Sequence, residues 1–316
     1  MLNGSLGTAL QHARRQLTLS AVRAALAYGA RLSPKRTVAL GRTLGRIAGS
    51  MPPLRNRLIG NLRQAGLEPS PERIAAYFRL MGNWFYSTLS TYHRGFDACG
   101  YADCAHFDES IVHVDRVMAQ GRGAVLVSPH AFCHEFAAAA INRRHPVVAL
   151  VRETKNPIRD AIKRRWYEAT GLEVVRRSHK ASMMFDVMNY VRVLQSGKML
   201  AITPDLPVPD DQGVPVKIFG RTVALNPGMV ALAMWSGAPL LFCWPKRWES
   251  GGAGPDVATI CFDEPVTIPL SRDRHGVLRA GMTEWASRFE ACLRRNPEYW
   301  LFWLDKRWTR VWRGER

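Results

Sequence analysis

The chain has 316 residues, 47% hydrophobic and 22% charged, a balance that excludes wholesale disorder and suits one large α/β domain or two smaller ones. Its 44 Lys and Arg against 26 Asp and Glu leave a net charge of +18, a surface drawn to nucleic acid, anionic membranes, acidic proteins or phosphorylated substrates without choosing among them. With no run of about 20 uncharged apolar residues, a transmembrane helix is not expected, and the N-terminus lacks the basic start, apolar stretch and cleavage site of a secretory signal.

Residues 1–95 read as helical. LTLSAVRAALAYGARL (17–32) places Leu19, Val22 and Leu26 at spacings of three and four, with Arg23 and Arg31 among them. Ser33-Pro34 and Ser70-Pro71 each pair an N-cap residue with proline at the first helical position. The second pair opens PERIAAYFRLMGNWFYSTLSTY, rich in large apolar side chains, which reads as core more than as a face in a bilayer interface. Residues 9–32 fit either role.

From residue 120, short apolar runs alternate with longer helical ones. Strands are predicted at 123–128, 146–151, 172–175, 198–203, 238–243 and 257–262, and helices near 133–143, 157–170, 180–195, 226–236 and 280–295. This predicts an α/β fold, a mostly parallel or mixed sheet flanked by helices, with a helical N-terminal portion. The division is a helical region over 1–95 and an α/β domain over 96–316, joined as one structural unit. Six scattered cysteines read as reduced thiols. Cys99, Cys104, His106 and His113 fit no standard zinc spacing, and their stretch reads as ordinary loop and strand.

The run GAVLVSPHAFCHE (123–135) carries the chemistry. Ligands on such sheets bind beyond the carboxyl ends of strands, where His130 falls. In one regular helix, residues five apart point about 140° away from each other, so His130 and Glu135 meet only if the histidine lies on the loop and the glutamate in the following helix. If they meet, the carboxylate fixes the imidazole tautomer and the ring can serve as a general base. His130 and His134 as metal ligands have no third partner at a convincing spacing. Plain hydrogen-bonded histidines at a helix start fit these residues as well as catalysis does.

His-x4-Glu after a strand resembles the first block of the glycerolipid and lipid A acyltransferases, and most closely the late lauroyl and myristoyl transferases of lipid A biosynthesis. RNRLIGNLRQAGLEPSPERIAAYFRLMGNW (55–84) is similar to the stretch preceding that core. VRETKNPIRDAIKRRWYEATGLEVV (151–175) resembles the second block. Pro204-Asp205, Gly213-Val214-x-Val216-x-Ile218-Phe219-Gly220, Pro227-Gly228 and Ser236-Gly237-Ala238-Pro239 resemble the third and fourth, and NPEYWLFWLDKRW (296–308) the closing motif. Where members usually carry Gln after Pro-Asp this chain has Leu206, and where they tend to carry a histidine near the closing motif it has Leu304-Asp305.

The resemblance implies an acyltransferase catalytic domain over 96–316. His130 would be the general base and Glu135 its orienting carboxylate, in direct transfer from an acyl thioester to a lipid hydroxyl. Cys133, among the motif's variable positions, would be a bystander. Donors for the oxyanion are expected in the loop from Asp205 to Gly213 and at the Gly220-Arg221 turn. Arg152, at a strand end, suits bidentate phosphate binding, with Lys155, Arg159 and Arg221 as weaker candidates; a solvated surface arginine is the plain alternative. No metal or cofactor is expected, the co-substrate being acyl carrier protein or a CoA thioester. Tyr299, Trp300, Phe302, Trp303, Trp308 and Trp312, interleaved with Lys306, Arg307 and Arg310, are expected to divide between core and lipid, the terminal rings nearer lipid.

The expected partners are thus an anionic membrane surface, a thioester donor and a lipid acceptor, with peripheral or monotopic placement on the cytoplasmic face of a bacterial inner membrane. The acceptor expected is a glycolipid such as a lipid A precursor. Rivals are another acceptor (a phosphatidylinositol mannoside, an ornithine lipid or a lysophospholipid) and a non-catalytic lipid-binding protein. Nucleic-acid binding is disfavoured, because no helix-turn-helix, zinc-finger or RNA-binding signature accompanies the charge.

Overall fold

The computed structural model describes residues 16–17, 20–96, 104–154, 156–177, 183–252 and 256–315. Helices open the described chain: α1 (20–30), α2 (Pro34–Ser50), α3 (Pro52–Gln64) and α4 (Pro71–Arg94). Ser33 and Ser70 cap α2 and α4 as expected, each hydroxyl accepting from the amide three residues on. No described helix is long and apolar enough to cross a membrane.

The rest is α/β. In chain order it comprises β1 (Ala105–Phe107), α5 (Ile111–Met118), β2 (Ala124–Val127), α6 (His134–Asn142), β3 (Val147–Arg152), α7 (Pro157–Thr170), β4 (Glu173–Arg177), α8 (Met183–Gln195) and β5 (Met199–Ile202). There follow β6 (Val214–Ile218), β7 (Arg221–Leu225), α9 (Gly228–Ser236), β8 (Leu240–Glu249), β9 (Val257–Phe262), α10 (Arg274–Arg295) and α11 (Lys306–Arg313). Seven strands form one sheet in the order β1-β9-β8-β2-β5-β3-β4, parallel throughout except for the antiparallel β8–β9 pair. The predicted mixed sheet is therefore present. The short edge strand β1 falls in the stretch from 99 to 113 read as loop and strand; among the described residues, the separate β6–β7 hairpin was not predicted.

Central strand β2 is buried along its whole length, because helices cover both faces. Val125 and Val127 join one apolar layer with α3, α8, α9 and α10; Ala124 and Leu126 join the other with α5, α6 and α7. The period of two is what sends alternate side chains to opposite layers. Helix α4 is core, with Ile74, Tyr77, Phe78, Leu80, Tyr86 and Leu89 buried. On α1, by contrast, Val22, Arg23 and Tyr28 are exposed.

The closing aromatic segment is also core. Trp300, Trp303, Trp308 and Trp312 are each no more than 1% exposed. This corrects the expectation that the terminal rings turn to lipid. Trp308 and Trp312 lie one helical turn apart on α11, stack at 5.0 Å between centroids and face inward, while Arg310 and Arg313 point outward. Two N-terminal helices anchor the segment: Tyr77 donates to the Leu301 carbonyl at 2.9 Å, and Asn61 donates to the Trp303 carbonyl at 2.6 Å.

Candidate active site

Strand order decides which side chains meet. β2 and β5 are parallel neighbours, so the loops leaving their carboxyl ends lie about 4.8 Å apart in the sheet. The β2 loop carries His130 and the β5 loop carries Thr203 and Asp205. The Ser128 amide donates to the Ile202 carbonyl at 3.2 Å and ties the loops together. From the far end of the chain, residues 299–301 run alongside as a short antiparallel segment. Leu301 donates to the His130 carbonyl at 2.9 Å, and Phe132 donates to the Tyr299 carbonyl at 3.1 Å.

His130 is held by Asp205. Its Nδ1 lies 2.6 Å from Asp205 Oδ1, its backbone N–H donates to Oδ2 at 2.9 Å, and Trp300 Nε1 donates to the same Oδ2 at 2.8 Å. Trp308 Nε1 donates to the Asp205 carbonyl at 2.8 Å. Asp205 has no solvent exposure. Burial alone would raise its pKa, but the neighbouring His130 charge and these hydrogen bonds outweigh that and hold the carboxyl below the ordinary range. An ionised carboxylate only accepts, so Nδ1 carries a proton, and Nε2 is the ring nitrogen turned away from Asp205. At Nε2 stands the Thr203 hydroxyl, at 3.1 Å. The Phe302 ring lies over the imidazole, centroids 4.4 Å apart.

The carboxylate hydrogen-bonded to His130 is thus Asp205 and not Glu135, which corrects the expected pairing. Helix α6 starts only at His134, with Cys133 as its N-cap, and Glu135 on its first turn has 23% side-chain exposure. It lies 4.0 Å from His134 Nε2, and its charge is felt by Lys163 and Tyr167 of α7. His134 donates from Nδ1 to the Ala131 carbonyl at 2.7 Å. Burial lowers its pKa, and the neighbouring Glu135 only partly counters this, so the ring is neutral. Its centroid is 5.0 Å from that of His130. Cys133 is buried, and its thiol is pushed up to about 12 by that burial, which leaves it unreactive at neutral pH.

The remaining candidates sit elsewhere. Arg152 is exposed at the end of β3, and its carbonyl accepts from Lys163 at 3.3 Å. Arg159 is exposed on the first turn of α7, and Lys155 lies outside the described residues, as does Cys99. Gly213 precedes β6 where the loop crosses β7; a Cβ there would stand 2.9 Å from the Leu225 carbonyl oxygen. In the Asp205–Gly213 loop, the Val208 amide already donates to the Ala224 carbonyl of β7 and the Gln212 amide to the Pro209 carbonyl. Gly220, at φ +73°, and Arg221 belong to the tight β6–β7 turn, where Phe219 packs on Trp303 and Trp312. Both are exposed, and neither hydrogen-bonds His130 or Asp205 among the contacts described. Among the described residues, no group of three His, Cys, Asp or Glu side chains is arranged to hold a metal.

Sequence reasoning missed Thr203 as a neighbour of His130 and Trp300 and Trp308 as partners of Asp205. Pro204-Asp205 at a strand end was the available signal, but only strand order brings that end beside His130.

A family model of bacterial lipid A biosynthesis acyltransferases matches residues 75–310. The lipid A biosynthesis lauroyltransferase of Escherichia coli (strain K12) is 26% identical over 198 residues, 62% of this chain and 59% of that protein. The phosphatidylinositol mannoside acyltransferase of Mycobacterium tuberculosis (strain ATCC 25618 / H37Rv) is 28% identical over 201 residues, 62% of this chain and 58% of that protein. The alignment thus spans less than two thirds of each relative. His130, Asp205 and the aromatic segment that clamps them all fall inside the matched span, which covers well over half of the sequence: the chain belongs to the bacterial lipid A biosynthesis acyltransferase family.

Proposed function

We propose that the protein moves a fatty acyl chain from an acyl thioester to a hydroxyl of a glycolipid, with His130 as general base and Asp205 as the carboxylate that orients it. The observation that carries this reading is the His130–Asp205 pair at the carboxyl edge of the sheet, with Nε2 turned outward. The acceptor hydroxyl takes the place of Thr203 at Nε2 and gives up its proton there as its oxygen attacks the thioester carbonyl. Asp205 stabilises the imidazolium that forms. Collapse of the tetrahedral intermediate expels the thiolate, which recovers the proton from Nε2. The transfer is direct, because the Cys133 thiol is buried and protonated.

The relatives named for lipid A and for phosphatidylinositol mannoside support a glycolipid acceptor, the former as first choice. The donor class is acyl carrier protein or CoA. The +18 charge suits both an acidic donor and an anionic bilayer, on which we place the protein at the cytoplasmic face of the inner membrane.

The test is mass spectrometry of lipids from the source organism, incubated with purified protein and either thioester, beside His130→Ala. The wild type should yield an acylated glycolipid whose mass names the acceptor. His130→Ala should lose roughly 10²–10⁴ of the rate. Equal product from both proteins would remove His130 as the base. A folded wild type that acylates nothing with either donor would favour a lipid-binding role.

A further inference from the structure

Trp300 reaches both halves of the catalytic pair. Its backbone bridges Ala131, beside His130, and its indole N–H ends on Asp205 Oδ2 at 2.8 Å. The ring is 1% exposed and meets Trp303 and Trp308 edge to face, each with centroids 5.0 Å away. Satisfying a buried indole does not by itself explain that aim. In the same aromatic cluster, the N–H groups of Trp285 and Trp312 have no acceptor among the described residues, whereas those of Trp300 and Trp308 both end on Asp205. Without Trp300, the donors left to Oδ1 and Oδ2 among the described residues both come from His130 itself, and none from outside the pair fixes the carboxylate.

We propose that Trp300 is a positioning residue: its indole N–H locks the Asp205 carboxylate against His130 and, by sharing its negative charge, sets the basicity of the imidazole. The inference builds on the acyl-transfer reading but is readable without turnover. A carboxylate stripped of one donor concentrates its charge on the other contacts and holds an imidazolium more firmly. The other groups around the pair are left unsubstituted in every variant compared. These are His134 and Glu135 from α6, Lys163 of α7 behind Glu135, and the Thr203 hydroxyl from the β5 loop.

The experiment titrates His130 by NMR in full-length protein carrying ¹³C-labelled histidine rings, the signal being identified by its loss in His130→Gln. Trp300 is replaced by phenylalanine and by 3-benzothienylalanine, which keeps the indole's shape and puts sulfur where the N–H was. Trp303→Phe is the control, since that equally buried indole donates to the Pro297 carbonyl at 2.6 Å and not to Asp205. The expected result is a His130 titration moved up by about half to one pH unit in both Trp300 variants and unmoved in Trp303→Phe. No movement in the benzothienyl variant, or equal movement in Trp303→Phe, would overturn the proposal. If Trp300→Phe does not fold, the near-isosteric variant decides alone. With substrates in hand, the same variant should lower kcat about tenfold with KM little changed. A wild type that transfers nothing would sink the acyltransferase reading, while the titration still judges Trp300.

Discussion

Asp205 is a carboxylate without solvent whose two oxygens accept three hydrogen bonds, and that state makes it testable on its own. Asp205→Asn keeps the shape but puts an amide where an anion stood. It can no longer stabilise an imidazolium, and its NH₂ group, if turned to Nδ1, would force the opposite tautomer. We expect kcat to fall by roughly 10²–10⁴, and Glu135→Gln, which breaks no hydrogen bond to His130, to cost less. Steady-state assays of the two variants side by side check this; the reverse order would return Glu135 to the role that the His-x4-Glu spacing implies. Stability carries a matching signature. Because the folded-state pKa is depressed, the ionised Asp205 contributes stability fully above the ordinary carboxylate value of about 3.9, and that contribution fades as pH falls through the folded-state value. The melting-temperature gap between wild type and Asp205→Asn should therefore narrow on acidification from neutral pH.

The β6–β7 hairpin explains at the level of the element why two candidate residues lie in a turn. Its loop is Phe219-Gly220, with φ of +48° and +73°, and such a two-residue loop matches the right-handed twist of the strands it joins. Phe219 accepts that conformation because its ring is held against Trp303 and Trp312, under the Arg294 guanidinium at 4.8 Å, while its amide donates to Glu290 at 2.5 Å. Gly220→Val should thus destabilise the fold by about 1–2 kcal/mol, read as a lower urea midpoint, while Arg221→Ala should leave acyl transfer unchanged. A loss of transfer without a loss of stability in either variant would return the turn to the binding site. The contrast marks what the sequence made legible. The apolar runs along 123–128 and 198–203 were readable as strands because each strand's burial is written in its own residues. That His130 would meet Asp205 was not, since β2 and β5 are separated by two other strands in the chain and pairing order is set by packing of the whole sheet. The same holds for Trp300 and Trp308. Aromatic residues interleaved with cations suit a membrane interface as well as a core, and only the docking of 299–301 beside 130–132 decides which.

For the molecule as a whole, the proposed bilayer contact has a defined candidate face. Leu44 and Ile47 project from α2 and Met51 from the residue that caps its end, at spacings of three and four, 36%, 51% and 46% exposed, with Arg36, Arg46 and Arg55 exposed along α2 and the start of α3. The opposite face of α2 is pressed onto α4: a Cβ on Gly82 would overlap the Gly41 carbonyl oxygen, so the helices touch backbone to backbone. That contact turns the apolar stripe outward. Apolar side chains bordered by arginine suit the boundary of an anionic bilayer, where burial of the stripe and attraction to headgroups add. Purified protein should therefore sediment with vesicles of phosphatidylcholine and phosphatidylglycerol and much less with phosphatidylcholine alone. Raising salt from 0.1 M to 1 M, which shortens the screening length from about 10 Å to about 3 Å, should remove most of the charge-dependent part. An Ile47→Ser, Met51→Ser double variant should keep the melting temperature, because both residues are already exposed, yet bind more weakly at every salt concentration. If the double variant binds as wild type does, the membrane contact lies elsewhere on the basic surface; if neutral and anionic vesicles are bound alike, charge is not what holds the protein there.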